Sequence, residues 1–263
     1  MGKKVRKDRL DKLLVERELA PTRAKAQAYI MAGEVRVNGE LATKAGMKVS
    51  AEAEITLANI MPYVGRGGFK LAGALDQFPL DLMGRAAADV GACTGGFTDV
   101  MLQNGASRVF AIDVGYGQLD WKLRTDERVT VLERTNARYL ESLAVPVQFV
   151  AIDVSFISLK LILPAVKKWL DDEYDIIALI KPQFEAGKKQ VGSGGVVRDP
   201  AVHSSVLDTI LSWCVEHDLY PHGLTPSSIQ GSDGNVEFLV WLRNRPNEAF
   251  DWREQVQRVV NIV

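Results

Sequence analysis

The chain has 263 residues, 47% hydrophobic and 25% charged, with a formal net charge of −1. That is ordinary for a soluble globular protein with one large domain and a small one, and it excludes disorder. No apolar run approaches the ~18 residues a membrane helix needs, so a membrane-spanning chain is not expected. The opening Met-Gly-Lys-Lys-Val-Arg-Lys-Asp is basic with no apolar stretch behind it, so no secretory signal is expected. Arg6 stands where a myristoylation signal has Ser or Thr. The two cysteines, Cys93 and Cys214, lack metal-ligand spacing, so a cytoplasmic, metal-free protein is expected. Charge is uneven: residues 1–48 carry +6 and the remainder −7. A basic N-terminal module on an acidic body suits a polyanionic partner, although a solvated helix face would give the same count.

Residues 8–19 place Leu10, Leu13, Leu14 and Leu19 on one face, which predicts a helix that Pro21 ends. Thr22 can cap a second helix, Arg23 to Met31, closing at Ala32-Gly33. Glu34 to Leu41 surrounds Asn38-Gly39, the preferred two-residue hairpin turn. These elements predict a compact unit over 1–60. Its second helix can turn Arg23, Lys25 and Gln27 to a phosphate backbone, with Lys44 and Lys48 behind them. Pro62 and the glycines at 65, 67 and 68 predict a linker over 61–68. Phe69 to Phe78 reads as a helix entering a second domain, 69–250, with a last helix over 251–263.

Residues 89–100 read Asp-Val-Gly-Ala-Cys-Thr-Gly-Gly-Phe-Thr-Asp-Val, a strand, a Gly-rich turn and a helix start. The spacing is neither the dinucleotide fingerprint nor a phosphate loop. Asp89 before the first glycine would repel pyrophosphate but suits a ligand with an ammonium group, as S-adenosylmethionine has. An ordinary strand-to-helix turn reads the same way. Arg108 to Asp113 is a second apolar run ending in an acid, 24 residues after Asp89, where a doubly wound sheet binds ribose hydroxyls. Val129–Leu132 is a third strand, whose exit loop holds Asn136 where an adenine edge lies. Val147 to Asp153 and Asp175 to Lys181 are two more, separated by a helix-compatible stretch, Ser158–Asp171. Alternating strands and helices predict an α/β Rossmann-like doubly wound parallel sheet, with ligands at the carboxyl ends of its strands. The cofactor candidates are Asp89, Gly91, Thr94, Gly95, Gly96, Phe97, Asp113 and Asn136.

Four charged residues stand at predicted element ends: Lys70, Asp153, Lys181 and Glu237. Three have plain structural explanations, as a solvated helix residue, a helix cap and the outward side of a strand. Lys181 is harder to dismiss, because it follows Ile-Ile-Ala-Leu-Ile and precedes Pro182. Gly187 to Gly195 follows, with Lys188 and Lys189 in what reads as a mobile basic loop able to close on RNA or as a plain surface loop.

The N-terminal pattern Arg9-Leu-Asp-Lys-Leu-Leu14, Thr22-Arg23-x-x-Ala26 and Gly33-x-Val35-x-Val37-Asn38-Gly39 resembles the S4 RNA-binding domain. The resemblance implies binding of structured RNA by shape and phosphate contacts, with Arg9, Arg23, Lys25 and Lys44 as contacts. The four charged residues resemble the Lys-Asp-Lys-Glu tetrad of FtsJ-type ribose 2′-O-methyltransferases, in the same chain order. The joining of the two modules resembles the hemolysin A-like (TlyA) family. Its motifs recur as Gly65-Arg66-Gly67-Gly68-x-Lys70-Leu71, Asp89-Val-Gly-Ala-x-Thr-Gly-Gly-Phe97-Thr98, Asp153-Val-Ser-Phe-Ile-Ser158 and Lys181-Pro-Gln-Phe-Glu185. The resemblance implies S-adenosylmethionine as cofactor and 2′-O-methylation of cytidine in ribosomal RNA or ribosomal subunits.

The chemistry asks for such residues independently. A ribose hydroxyl is a weak nucleophile that must lose its proton as it is methylated. Lysines beside carboxylates can orient it and stabilise alkoxide charge. A desolvated Lys181 pressed by a second lysine is the expected proton acceptor, with Asp153 and Glu237 setting its position. Two other functions compete. An RNA-binding ribosome assembly factor with an inactive methyltransferase fold would need a broken tetrad or loop. A pore-forming hemolysin would need a signal or an amphipathic membrane element.

Overall fold

The computed structural model describes residues 6–31, 33–57, 61–187, 189–231 and 234–263. The chain divides into two units, Met1–Pro62 and Tyr63–Val263.

In the first unit, β1 (Lys7–Arg9) leads into α1 (Leu10–Glu16) and α2 (Arg23–Met31). The strands β2 (Val35–Val37), β3 (Glu40–Leu41), β4 (Lys48–Ser50) and β5 (Ile55–Leu57) follow. β1 pairs antiparallel with β4, and β2 lies between β3 and β5. The single helix expected over 8–19 is therefore corrected. Its first residues pair as strand, and Glu18, with φ of 58°, stands beyond its end. Ala32, expected at the end of α2, lies outside the described residues. Asn38 and Gly39 have φ of 49° and 83°, the left-handed pair a two-residue hairpin requires. Leu10, Leu13, Leu14, Ala26, Ile30 and Val35 form the core. Beside it Asp11 is fully buried, and its carboxylate accepts from Arg9, Arg23 and Gln27 at 2.9 to 3.0 Å. The Arg9 guanidinium, with Gln27 and Arg23, holds that carboxyl well below the usual range.

The second unit holds α3 (Gly68–Gln77), β6 (Ala86–Val90), α4 (Gly96–Gln103), β7 (Arg108–Ile112), α5 (Trp121–Arg124), β8 (Val129–Leu132) and β9 (Val147–Ile152). It continues with α6 (Leu159–Val166), β10 (Leu170–Ile180), α7 (Pro182–Glu185), α8 (Pro200–Glu216), β11 (Tyr220–Pro226), β12 (Phe238–Arg243) and α9 (Trp252–Val260). One seven-stranded sheet runs in the order β11-β12-β10-β9-β6-β7-β8. Apolar residues alternate between its faces along most of each strand. Val90, Ile112, Ile152 and Ile180 pack on the face covered by α6, α8 and α9. Val109, Ala111, Phe149 and Leu179 pack on the face covered by α3, α4 and α5. The period of two and cover on both sides make the α/β sandwich expected of the sequence.

Three local expectations are corrected. The sheet is mixed, because β12 runs antiparallel to both β10 and β11. The helix expected over 158–171 ends at Val166, and a 3-10 turn follows at Lys167–Trp169. Leu170 then pairs with Val147, so β10 claims the residues beyond. Finally, 63–68 is not free linker. Val64 N–H donates to Asp99 at 2.9 Å, and Gly68 lies so close to Tyr63 that a Cβ would come within 2.6 Å of its ring.

Candidate active site

The carboxyl ends of β6, β7 and β9 open onto a cavity of about 440 Å³. Gly91 leaves β6 with φ of 89°, and a Cβ there would run into the Asp153 carbonyl, so glycine lets the β6 and β9 exits converge. Asp113 follows β7 into the cavity. Its carboxylate accepts from Cys93 N–H at 2.8 Å and Gly115 N–H at 2.6 Å, which ties the Gly-rich turn to the neighbouring strand. Asn136 also lines the cavity, and its Oδ1 caps the turn at Arg138 N–H. A larger cavity of about 770 Å³ lies beside β11 and α9, lined by Phe78, Trp241 and Phe250, and holds none of the expected site residues.

Gly91, Asp113 and Asn136 thus line the cavity, and the other five cofactor candidates are not among its lining residues. A Cβ on Gly95 would strike Leu123, and one on Gly96 would come within 2.7 Å of Gly68 N, so both glycines serve close packing. Phe97 is core. Thr94 meets Gly65. Asp89 sits behind the turn, where Oδ2 accepts Thr98 N–H at 2.8 Å and its hydroxyl at 2.6 Å. Its Oδ1 is buried without a partner.

The tetrad converges from four elements. Lys70 is on α3, Asp153 follows β9, Lys181 follows β10 and Glu237 precedes β12. Lys70 Nζ lies 2.6 Å from Glu237 Oε2 and 3.7 Å from Asp153 Oδ2. Lys181 Nζ lies 2.5 Å from Asp153 Oδ1, an ion contact and not an aligned hydrogen bond. Asp153 thereby joins the two lysines, and it also lines the cavity. Lys70, Lys181 and Glu237 are buried, so their charges interact in a weakly screened setting. A Cβ on Gly231 would overlap the Glu237 carboxylate, so that glycine makes room for it.

Sequence reasoning missed three neighbours. Ser155 Oγ accepts from Lys181 Nζ at 3.0 Å and lines the cavity. Gln183 Nε2 donates to Glu237 Oε1 at 3.4 Å. Phe156 lines the cavity with φ of 62° and 90% exposure, 4.8 Å from Phe184. Their one signal was membership of the Asp153–Ser158 and Lys181–Glu185 motifs. Of the RNA candidates, Lys25, Lys44 and Lys189 are exposed, Arg9 and Arg23 are engaged with Asp11, and Lys188 lies outside the described residues.

Residues 63–244 match the family described as FtsJ-like methyltransferase, and residues 8–55 match the S4 domain. The chain is 48% identical to a Bacillus subtilis protein named YqxC, a candidate rRNA methyltransferase, over 97% of this chain and 93% of that one. It is 45% identical to the 16S/23S rRNA (cytidine-2′-O)-methyltransferase TlyA of Mycobacterium tuberculosis, over 93% and 92%. A solved structure from Streptococcus thermophilus, described as a candidate hemolysin, superposes with a TM-score of 0.74 at 44% identity, covering 97% of this chain and 95% of that one.

Burial pushes the Asp89 carboxyl up from 3.8 to about 7, against the pull of Thr98. Because the folded value lies above the unfolded one, its contribution to stability is full below about pH 4 and is lost as pH rises through about 7. Asp89→Asn cannot ionise. Relative to the parent chain it should gain stability on the order of a few kcal/mol between those limits. Urea unfolding at both ends of the range checks this, and a pH-independent difference would contradict it.

Proposed function

The chain belongs to the FtsJ-like methyltransferase family and carries an S4 domain, and we propose that it methylates the ribose 2′-hydroxyl of a cytidine in ribosomal RNA, using S-adenosylmethionine. The observation that carries this reading is the two-lysine, two-carboxylate cluster beside the cavity at the sheet's carboxyl edge. The 45% identity to a cytidine-2′-O-methyltransferase supports the choice of base and RNA.

The residues present fit the cofactor. The cavity falls within the ~300–1,000 Å³ of small-molecule sites. Asp113 and Asn136 offer acceptor and donor groups along its wall. When bound, S-adenosylmethionine supplies an electrophilic methyl group and needs no metal.

The chain's own residues handle the hydroxyl. Lys70 and Lys181 orient it and stabilise the charge that develops on its oxygen. Lys181 Nζ, in its neutral amine form, takes the proton and becomes the ammonium that Asp153 and Ser155 hold in place. Glu237 fixes Lys70, and Gln183 fixes Glu237. Phe156, held outward in a backbone conformation costly for a bulky residue, gives an unstacked base an aromatic face next to the reacting ribose. The S4 domain supplies phosphate contacts through Lys25 and Lys44, with Arg9 and Arg23. Lys189 adds basic charge in the loop after α7. Among the described residues no helix is long and apolar enough to cross a membrane. A ribosomal RNA substrate supports a cytoplasmic home for the protein.

Mapping 2′-O-methylcytidines in ribosomal RNA from cells with and without the gene tests the reading. The gene should add at least one such site, and Lys181→Ala should fail to restore it while keeping cofactor affinity within a few-fold. A map unchanged by the gene would overturn the function, and a restored site would overturn the role of Lys181. Asp113→Ala should weaken S-adenosylmethionine binding by roughly 1–3 kcal/mol, read by calorimetry. Equal affinity would remove Asp113 from the cofactor site. Lys25→Glu with Lys44→Glu should lower RNA affinity without changing cofactor affinity. These lysines are cleaner probes than Arg23, whose reversal would set a second carboxylate against buried Asp11. Undiminished RNA binding by the double variant would move recognition to the catalytic unit.

A further inference from the structure

Two catalytic segments, 153–159 after β9 and 181–185 after β10, are joined at three successive points. At the near end Lys181 Nζ meets Asp153 Oδ1 at 2.5 Å and Ser155 Oγ at 3.0 Å. In the middle the rings of Phe156 and Phe184 stand 4.8 Å apart. At the far end Leu159 N–H, the first of α6, donates to Glu185 Oε1 at 2.8 Å. Ser158 caps the same helix through Lys160 N–H and also bonds the Glu185 carboxylate.

Neither segment holds itself in place. Residues 153–158 form no helix or strand, and Phe156 sits at a positive φ that its own backbone does not favour. The helix α7 has four residues, too few to be stable alone. The sheet fixes the backbone of Asp153 and Lys181 where β9 and β10 pair, and the course of the two segments beyond, with the side chains they bring together, depends on what fixes their far ends. The Glu185 carboxylate is a partly buried acceptor for an otherwise unpaired backbone donor at the N–H end of α6; burial pushes its carboxyl up, against the pull of Ser158 and Leu159 N–H.

We propose that Glu185 is a positioning residue, which holds Lys181 against Asp153 and Ser155 by anchoring α7 to the first backbone N–H of α6. The chemistry at Lys181 rests on the function proposed above, but the anchoring does not.

The test compares Glu185→Ala with Glu185→Gln, whose side-chain carbonyl can accept the same N–H. Each full-length variant is assayed well below its melting temperature. Glu185→Ala should lower kcat by roughly tenfold to a hundredfold, the cost of misplacing a reacting group by about 1 Å. KM for RNA and affinity for S-adenosylmethionine should stay within a few-fold, and Glu185→Gln should recover most of kcat. A second readout needs no activity. Labelling of Lys181 by an amine-reactive reagent, followed by peptide mass spectrometry, should speed up several-fold in Glu185→Ala and much less in Glu185→Gln. Unchanged labelling and unchanged kcat in Glu185→Ala would overturn the proposal. So would losses that merely follow the unfolded fraction, or that are equal in the two variants. If the parent protein methylates no RNA while the labelling behaves as expected, the reading of function fails and the anchoring stands.

Discussion

Because β12 runs against β10, with Phe238 opposite Ile180, the residue before that pair reaches the carboxyl edge of the sheet. There β9 and β10 deliver Asp153 and Lys181. An all-parallel sheet would have carried Glu237 to the opposite edge, leaving Lys70 without its 2.6 Å partner. Asp153 at 3.7 Å, shared with Lys181, would be the carboxylate left to it, and a buried lysine so weakly paired is costly, since loss of water is poorly repaid. The reversed strand therefore makes a buried lysine on α3 tolerable, and with it the charged cluster. Glycine at 231 is a condition of the same arrangement, since any side chain there would occupy the space of the Glu237 carboxylate.

The cluster and the cavity meet at the exit of β9. Asp153 contacts both lysines and also lines the cavity, and Ser155 repeats that double membership two positions on. The exit of β9 is thus the seam between the part that binds a small molecule and the part that holds charged groups. Gly91 lets the exit of β6 close against this seam, and Asp113 ties the Gly-rich turn to β7. Three neighbouring strands define one working edge, and the helices on each face serve to hold their ends level.

Strand ends were legible because buried strands read as unbroken apolar runs, so the polar residue that stops each run marks the edge of the sheet. Asp113, Asp153 and Lys181 were found in that way. Glu237 was found by its place in the chain order of a tetrad, with no hint that its strand was reversed. The Gly-rich turn misled in detail. A sequence cannot tell a glycine that lines a cavity, as Gly91 does while making room for the Asp153 carbonyl, from Gly95 and Gly96, which admit a leucine and a backbone. The run around Gly65 to Gly68 read as flexible for the same reason, although its glycines permit close packing by Tyr63 and Thr94. Ser155 and Phe156 lie in a segment with no period, where side-chain direction is set by a single backbone angle.

Asp11 changes what the basic charge of the first unit amounts to. Two of its arginines, Arg9 and Arg23, already share a buried carboxylate, and neither is an independent cation waiting for a phosphate. Fewer condensed counterions leave an RNA for each such arginine than for a free lysine, so the logarithm of affinity should decline with the logarithm of salt more gently than the 12 basic residues of positions 1–48 would imply. The arginines gain in return a fixed posture. Their guanidinium planes are set before RNA arrives, and little side-chain freedom remains to be lost on contact.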